Sequence, residues 1–335
     1  MDKTNDYTIF AKHGYPALAN GMRSNISWQP LWCPTRHAMV WSQLRLPLAL
    51  SSRSFDVIHV PGHRVPWIKR GRLITTLHDL VFLQFPETLR SGHRNRLVWY
   101  TKNAVRSADS IITVSETVKR SVCEFYRTDP SKIVVIHHGV DHMRFHSDIT
   151  PLRRPLPYIL TVGTLQPLKN QVTLIRAFKQ LCARWREPID LVIAGQRGWM
   201  WESIEEEARK LPFADRVHLL GHVTHEVLPS LYAGATFVAM PSLYEGFGLP
   251  LLEAMACGAP LVTANISTFS EVAGDAALML DPHNTEAWME GMLELLDNAE
   301  RRQQLRQKGL ARARQFSWER TAKETLAIYR KVTAG

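Results

Sequence analysis

The chain has 335 residues, of which 45% are hydrophobic and 21% charged, a composition that excludes disordered and fibrous classes and favours a globular protein. Its length predicts two domains, and no stretch approaches the roughly 20 apolar residues of a membrane span. Most of the net charge of +10 lies in residues 1–150, which hold 20 Lys and Arg against 11 Asp and Glu; the remainder holds 21 against 20. A basic first half predicts contact with an anionic surface or partner, although solvated basic faces would give the same count.

The cysteines and the N-terminus predict a cytoplasmic protein. Cys33, Cys123, Cys182 and Cys257 are isolated, without CxxC or zinc-type spacing, so we expect reduced, buried thiols. The first sixteen residues lack the apolar core of a signal peptide. Together these features predict a cytoplasmic location.

The first half, residues 1–150, contains apolar segments of four or five residues bounded by Gly, Pro or polar residues, which predict buried strands. The predicted strands are Tyr7–Phe10, Asp56–Val60, Leu73–Leu77, Ser110–Val114 and Ile133–Ile136. Residues 11–50 are irregular up to an apolar helical run over 39–50. Further helices are predicted over 94–107 and after Ser115, a residue type that commonly caps a helix N-terminus.

Residues 147–157 carry three prolines and two arginines without periodicity, which predicts a linker. We therefore expect a first domain over 1–150, a second over 151–317, and a C-terminal helix in 318–335 that packs back on the first domain.

Beyond this linker, strands and helices alternate. The predicted strands are Tyr158–Val162, Asp190–Ala194, Val217–Leu220, Thr236–Met240, Pro260–Ala264 and Ala277–Leu280. The predicted helices span 169–186, 201–211, 225–233, 284–297, 299–315 and 318–332. Repeated β–α units of this length predict an α/β fold, with two doubly wound parallel sheets that face a cleft.

The stretch from Met240 to Pro260 combines a strand, a glycine-rich loop and a helix start. The loop holds Glu245, Gly246 and Gly248, and Pro250 is expected to open a helix that carries Glu253 in its first turn. Glycines allow a ligand to approach the backbone, and a helix start offers free N–H groups to an anion. The alternative is that Glu253 only complements the helix dipole, which leaves Glu245 unexplained.

Three other features are typical of a site but have structural alternatives. Gly163–Asn170 is a turn with Lys169 at the expected start of a helix, which fits a phosphate; an exposed lysine is the alternative. His78 follows an apolar strand directly, where ligands sit in α/β sheets, but lone histidines are often structural. The remaining histidines lack the spacing of a metal site, so we predict none.

Basic and aromatic residues are mixed in 67–72 and 90–106. Clusters of this kind dock on anionic lipid headgroups, which predicts a peripheral contact with the inner face of the plasma membrane. No nucleic-acid-binding module accompanies them, so we expect no nucleic acid partner.

Taken together, these residues resemble the GT-B glycosyltransferases of retaining family 4, known as group 1. EGFGLPLLEAMACGAPLV, residues 245–262, resembles the E-x7-E signature of that family, and VGTLQPLKN, residues 162–170, resembles its mannosyltransferase-like branch. Three further segments match the end of the family's first domain, which are His78-Asp79-Leu80, Val114-Ser115-Glu116 and His138-Gly139-Val140-Asp141. The resemblance runs from about residue 7 to the C-terminus.

The resemblance implies that the second domain binds a nucleotide-sugar, GDP-mannose or a UDP-sugar, and that the first presents a polysaccharide or lipid-linked glycan acceptor. His78, Glu245 and Lys169 would be catalytic: His78 beside the sugar, Glu245 on its hydroxyls and Lys169 on the diphosphate. Glu253 would bind the ribose. Contacts to the nucleotide-sugar are further implied for Gly163, Thr164, Gly246, Phe247, Gly248 and Leu249. Transfer would proceed with retention and without a metal ion or other cofactor.

The sequence departs from the family pattern at two places. Many members carry arginine where Thr164 stands, which leaves Lys169 as the main phosphate cation. The family usually opens with a strand and a GGIGR-like loop; here Tyr7–Phe10 resembles the second strand, so we expect an incomplete first domain. The alternatives are therefore a non-catalytic nucleotide-sugar-binding protein or truncated inactive transferase, a GT-B nucleotide-sugar epimerase, and an adaptor for anionic surfaces.

Overall fold

The computed structural model describes residues 2–12, 24–33, 38–88 and 91–334, and within them all paired strands are parallel. Part of the segment predicted to be irregular, residues 13–23 and 34–37, lies outside the described residues. The parallel strands form three separate sheets of two, four and six strands. The α/β prediction is therefore confirmed.

The first half contains a two-stranded sheet and a four-stranded sheet. In the smaller sheet Tyr7 pairs with Ile26, and its second strand has no counterpart in the sequence prediction. The four-stranded sheet has the spatial order β3-β4-β5-β6. The strands of this half are β1 (Tyr7–Ala11), β2 (Ile26–Pro30), β3 (Val57–Val60), β4 (Arg72–Leu77), β5 (Ser110–Thr113) and β6 (Ile133–Val135).

The six-stranded sheet of the second half has the spatial order β12-β11-β10-β7-β8-β9. Chain order reverses between β7 and β10, so the carboxyl ends of these two strands flank a crevice in which ligands bind in such folds. The strands are β7 (Tyr158–Val162), β8 (Asp190–Ala194), β9 (Val217–Gly221), β10 (Phe237–Met240), β11 (Leu261–Ala264) and β12 (Leu278–Leu280).

Helices connect the strands in both halves. In the first half they are α1 (Ala38–Val40), continued by a π-helix (Trp41–Arg45) and α2 (Leu46–Ser51), then α3 (Val81–Gln84), α4 (Ser91–Ser107) and α5 (Glu116–Tyr126). In the second half they are α6 (Gln171–Arg184), α7 (Glu202–Arg209), α8 (Leu228–Gly234), α9 (Leu249–Ala256), α10 (Ser267–Ala273), α11 (Thr285–Asp297), α12 (Ala299–Ala313) and α13 (Trp318–Ala334). Short 3₁₀ turns occupy Pro86–Thr88, Pro130–Lys132, Pro167–Lys169 and Ala214–Arg216. Two short helices, α3 and α10, lie in segments for which the sequence predicted no element.

The last helix belongs to the second half in sequence but contacts the first sheet. Ile328 of α13 packs in a buried cluster with Ile74, Ile112 and Ile136, which lie on or just after β4, β5 and β6. Tyr329 on the same helix makes a 2.6 Å hydrogen bond with Nδ1 of His59. The helix therefore ties the C-terminal end of the chain to the first half.

The cysteines and helices give two further facts. All four cysteines are free thiols, and burial raises the pKa of Cys257 to about 12, which keeps it protonated. In the part of the chain that the structure describes, no helix combines the length and the hydropathy needed to cross a bilayer.

Candidate active site

A cleft of about 260 Å³ lies where the loops after β4, β7 and β10 meet. It is lined by residues of both halves, which are Asp79, Val81, Thr88, Gln166, Pro167, Leu168, Lys169, Trp199, Tyr244, Glu245 and Gly246. Three residues that the sequence singled out, Lys169, Glu245 and Gly246, therefore share one cavity. His78 and Glu253 are not among the lining residues.

The glycine-rich loop follows β10 and ends at Gly248, the residue before α9. Gly248 has a φ of +96°, and a Cβ there would lie 2.9 Å from the ring of Phe269, so both conformation and space require glycine. The helix begins at Leu249, and Pro250 occupies its second position instead of opening it. Glu253 consequently lies beyond the first turn, so the expected first-turn placement is wrong.

Lys169 and Glu245 meet at the centre of the cleft. The ammonium of Lys169 donates to Oε1 of Glu245, and the side chains are only 17% and 12% exposed. Ser242 also donates to the same Oε1 atom at 2.9 Å, which fixes the carboxylate. The pair joins the turn after β7 to the loop after β10 and places one cation and one anion where a ligand would enter.

The turn that carries Lys169 differs from the sequence prediction. Lys169 ends a 3₁₀ turn, Asn170 takes a left-handed conformation with a φ of 54°, and the helix begins only at Gln171. The Asn170 amide donates to the carbonyls of Pro241 and Pro282, at 3.1 and 2.8 Å. The lysine therefore precedes the helix, and the asparagine anchors its turn to the glycine-rich loop.

Gly163 and Thr164 belong to the same turn as Lys169. A Cβ on Gly163 would lie 3.4 Å from Cδ of Lys169, so the glycine gives the lysine stem room along the backbone. The Thr164 carbonyl accepts from the Gln171 amide at 3.2 Å. Arg197 lies near this turn but does not replace the missing family arginine, because its guanidinium bonds Glu205 at 2.6 Å and stacks on Trp201 at 4.2 Å.

The glycine-rich loop packs directly on the first half. A Cβ on Gly246 would lie 1.9 Å from the carbonyl oxygen of His78, a distance that no substituted side chain can occupy. The Gly246 carbonyl accepts a 2.7 Å hydrogen bond from the hydroxyl of Ser115, the residue that caps α5 after β5. His78 therefore approaches the glycine-rich loop through its backbone, and its predicted place beside the transferred sugar stays a prediction.

The ring of His78 stacks on that of His138, with ring centroids 5.3 Å apart and Nδ1 of His78 lying 3.3 Å from Nε2 of His138. Burial lowers the pKa of both rings, that of His138 to about 4, and Asp79 partly offsets the effect at His78. Both histidines are therefore neutral near pH 7. His78 can exchange a hydrogen bond but does not bring a permanent charge.

Phe247 does not line the cleft. Its ring is buried among His137, His138 and Phe316, with centroid distances of 5.8, 5.2 and 6.1 Å. Its side chain therefore fixes the glycine-rich loop against the first half and the entry to α13. Any contact of this residue with a ligand would use its backbone.

Glu253 lies apart from the Lys169–Glu245 pair and accepts a 3.1 Å hydrogen bond from the hydroxyl of Tyr232. Desolvation raises the pKa of this carboxyl, and the Tyr232 hydrogen bond lowers it only in part. A ligand that donates hydroxyl hydrogens would stabilise the charged form and reverse part of this penalty.

Sequence reasoning missed the contacts that join the halves. Glu271 of α10 accepts from the backbone N–H groups of Glu116 and Thr117, at 2.8 and 3.3 Å, and contacts Nε2 of His137 at 2.7 Å. Burial raises the pKa of Glu271, but these hydrogen bonds outweigh it and lower the pKa overall. Tyr244 likewise crosses the cleft, because its hydroxyl accepts from the N–H of Leu80 at 3.0 Å. No local pattern marks these residues, since their partners are more than 130 positions away.

No group of three or more His, Cys, Asp or Glu side chains suited to a metal ion occurs among the described residues. Metal independence remains a prediction that a chelator can test.

The architecture is that of solved glycosyltransferases. WaaG, a glycosyltransferase involved in lipopolysaccharide biosynthesis, matches with a TM-score of 0.74 at 17% identity, over 99% of this chain and 92% of that one. The HepE protein of Anabaena in complex with UDP and glucose matches with a TM-score of 0.72 at 18% identity, over 91% and 86%. These likenesses define the fold as GT-B.

Comparison with protein families gives the assignment. The family described as "Glycosyl transferases group 1" matches residues 143–312, and "Glycosyltransferase Family 4" matches residues 2–144. O-antigen chain mannosyltransferase B of Escherichia coli is 32% identical over 289 residues, covering 82% of this chain and 74% of that protein. A D-inositol 3-phosphate glycosyltransferase of Salinispora tropica is 32% identical over 325 residues, covering 87% and 67%. The chain therefore belongs to glycosyltransferase family 4 and is a glycosyltransferase.

Proposed function

We propose that this glycosyltransferase moves a sugar, with mannose as the first candidate, from a nucleoside-diphosphate sugar to a polysaccharide or lipid-linked glycan. The observation that carries the proposal is the contact of Lys169 with Glu245 in a cleft shared by both halves. An ammonium beside a carboxylate matches a donor that carries phosphates next to hydroxyl groups. Mannose is favoured by the similarity to O-antigen mannosyltransferases of Escherichia coli and Salmonella typhimurium.

Each charged residue then has a separate task. Lys169 would leave Glu245 and pair with the diphosphate, and Glu245 would accept hydrogen bonds from the sugar hydroxyls. The N–H groups of the loop from Gly246 to Leu249 would approach the sugar and phosphate. Glu253 would accept from the ribose hydroxyls, because Tyr232 holds one of its oxygens and leaves acceptor capacity on the carboxylate.

The reaction would proceed with retention. The bond between the anomeric carbon and the phosphate oxygen breaks, and the acceptor oxygen bonds to that carbon on the same face. The acceptor proton passes to the departing phosphate oxygen, so no external base is required. Negative charge grows on the diphosphate, and a fixed ammonium stabilises that charge in the transition state. Contact between the halves limits access of water to the sugar.

The neutral pair of His78 and His138 would border the transferred sugar. Near pH 7 an uncharged ring can donate or accept a hydrogen bond with a sugar hydroxyl. We do not assign general acid catalysis to either ring, because burial lowers the pKa of both and disfavours the protonated form.

A transfer assay with the full chain tests the proposal. GDP-mannose and a set of UDP-sugars are offered with a glycan acceptor, in the presence of EDTA, and the anomeric configuration of the product is read by NMR. We expect one donor to give a product with retained configuration and undiminished rate in EDTA. Binding without transfer would favour a non-catalytic binding protein, and interconversion of the free donor sugar would favour an epimerase.

A further inference from the structure

A surface of large apolar side chains is exposed on the first half. Trp67 is 52% exposed, Ile68 76% and Trp99 45%, while Leu44 and Leu48 are 54% and 57% exposed. We call these five residues, together with the exposed basic residues Arg70, Arg96 and Lys102, the basic-aromatic face. Several exposed large apolar residues on one surface are uncommon in a monomeric soluble protein and mark interaction sites.

Three chain segments are joined in this face. The rings of Trp67 and Trp99 meet edge to face, with centroids 5.4 Å apart. The side chain of Gln43 donates to the carbonyl of Val65 and accepts from the N–H of Trp67, both at 3.0 Å. Through these contacts the helix at 38–51, the loop before β4 and the helix α4 meet at this face.

Helical periodicity places the exposed groups on a single side of each helix. In the first helical segment Leu46 and Leu50 are buried, whereas Leu44 and Leu48, which share the opposite side, are exposed. In α4 the exposed positions include Arg96, Trp99, Lys102 and Arg106, spaced by three or four residues. Each helix thus turns a continuous stripe outward.

The charge around this face is strongly positive. Residues 38–72 and 91–107 together contain ten Lys and Arg and one acidic residue, Asp56. Asp109 neutralises Lys69 and Arg72, at 3.1 and 3.3 Å. Over the described part of the chain, Arg70, Arg96 and Lys102 form no ion pair, so their charge is free for a partner.

We propose that the basic-aromatic face docks on the surface of an anionic lipid bilayer. Trp67, Ile68 and Trp99 would enter the headgroup region, because tryptophan favours the boundary between water and hydrocarbon. Arg96 and Lys102 would contact the lipid phosphates, since positive side chains beside an apolar patch match an anionic bilayer. The proposal does not depend on which sugar the enzyme transfers.

Repulsion between like charges disfavours a second copy of this chain as the partner of the basic-aromatic face. A two-fold dimer through this face would oppose the same basic groups on both subunits, and like charges across an interface are costly. An anionic bilayer has the complementary charge.

Co-sedimentation with large unilamellar vesicles tests the proposal, using the full chain without donor or acceptor. Vesicles contain about 30 mol% phosphatidylglycerol in phosphatidylcholine, or phosphatidylcholine alone, at about 50 and 500 mM NaCl. We expect binding to the anionic vesicles, weakened at least tenfold by salt. Trp67→Ser with Ile68→Ser, and separately Arg96→Ser with Lys102→Ser, should each weaken binding by about tenfold.

Matched controls use exposed residues of the second half. Leu220→Ser with Val227→Ser, and Arg184→Ser with Arg186→Ser, change similar chemistry at other surfaces and should leave vesicle binding unchanged. Circular dichroism melting confirms that each variant is folded.

Three results would overturn the proposal. They are equal binding to neutral and anionic vesicles, unchanged binding of the face variants, and a dimer in analytical ultracentrifugation that Trp67→Ser with Ile68→Ser dissociates. Because vesicle binding is measured with the protein alone, a failure of sugar transfer with intact vesicle binding would concern the proposed reaction only.

Discussion

The two halves of the molecule contribute different chemistry to the cleft. The second half supplies the Lys169–Glu245 ion pair to the cleft and, outside its lining, the desolvated carboxyl of Glu253. The first half supplies the side chain of Asp79, the His78 backbone, the Ser115 hydroxyl and imidazole rings whose pKa burial lowers. Yet the first half carries a net charge of +9 and the second only +1. Net charge therefore did not locate the candidate phosphate site, which depends on one lysine in the nearly neutral half.

From this contrast we expect the two halves to have different roles in donor binding and in sugar transfer. We expect the second half to set nucleotide affinity and the first to influence transfer once the donor is bound. Variants on the two sides of the cleft can break or refine this division, and we take them from the largest expected effect to the smallest.

Lys169→Ala should have the largest effect. Losing the ammonium removes the cation assigned to the diphosphate, so we expect transfer to fall by about 10²–10³-fold and affinity for GDP or UDP to weaken. Transfer rates and calorimetry with each nucleotide measure the two effects. Lys210→Ala, which alters an exposed lysine paired with Glu206, is the control and should behave as the wild type.

The same measurements on His78→Ala test the other side of the cleft. We expect lower transfer with nearly unchanged nucleotide affinity. A loss of affinity as large as that of Lys169→Ala would contradict the division between the halves.

Gly246→Ala should have an intermediate effect, because the added Cβ would overlap the His78 carbonyl and push the halves apart. We expect transfer to drop by about tenfold or more, since small misplacements at a reacting centre are costly. Small-angle scattering should report a larger radius of gyration. Gly92→Ala is the control, because a Cβ there meets no atom within 4 Å; a Gly246→Ala enzyme with wild-type rate would refute the close contact.

Glu253→Gln should have the smallest effect on the transfer rate. At alkaline pH it should stabilise the folded protein. Because burial raises its pKa, the folded protein holds this proton more tightly than the unfolded chain, so ionisation costs stability as pH rises above about 4. Glu253→Gln should therefore melt about 1–3 °C above the wild type at pH 8, with the difference vanishing near pH 4.

Nucleotide affinity of the same variant should fall by several-fold, because an amide accepts hydroxyl hydrogen bonds less strongly than a carboxylate. Glu290→Gln, at an exposed position of α11, is the control for both measurements. Unaltered nucleotide affinity would remove Glu253 from the donor site.

The sequence predicted the second half more completely than the first. Strands from β7 to β12 fall within two residues of their predicted bounds, because hydrophobic runs alternate with amphipathic helices there. In the first half β2 was missed, since Ile26–Pro30 mixes polar and apolar residues and pairs only with β1, in a sheet of two strands. The short helices α3 and α10 were missed because neither is long enough to show a helical period.

The candidate site was predictable where one segment carries the information. Glu245, Gly246 and Lys169 were found from local motifs, and Ser115 does cap its helix, accepting from Val118 at 3.2 Å. Sequence could not show that Glu245 pairs with Lys169, that His138 stacks on His78, or that Glu271 crosses to α5. Those contacts depend on how two sheets meet.

The hydroxyl of Ser115 has a consequence for how the cleft can open. Its oxygen accepts from Val118 in one half, and its single hydrogen goes to Gly246 in the other. Separating the halves exchanges only the second bond for water, at a net cost of about 0.5–1.5 kcal/mol, and the helix cap survives. Opening the cleft at this point would therefore leave the start of α5 intact.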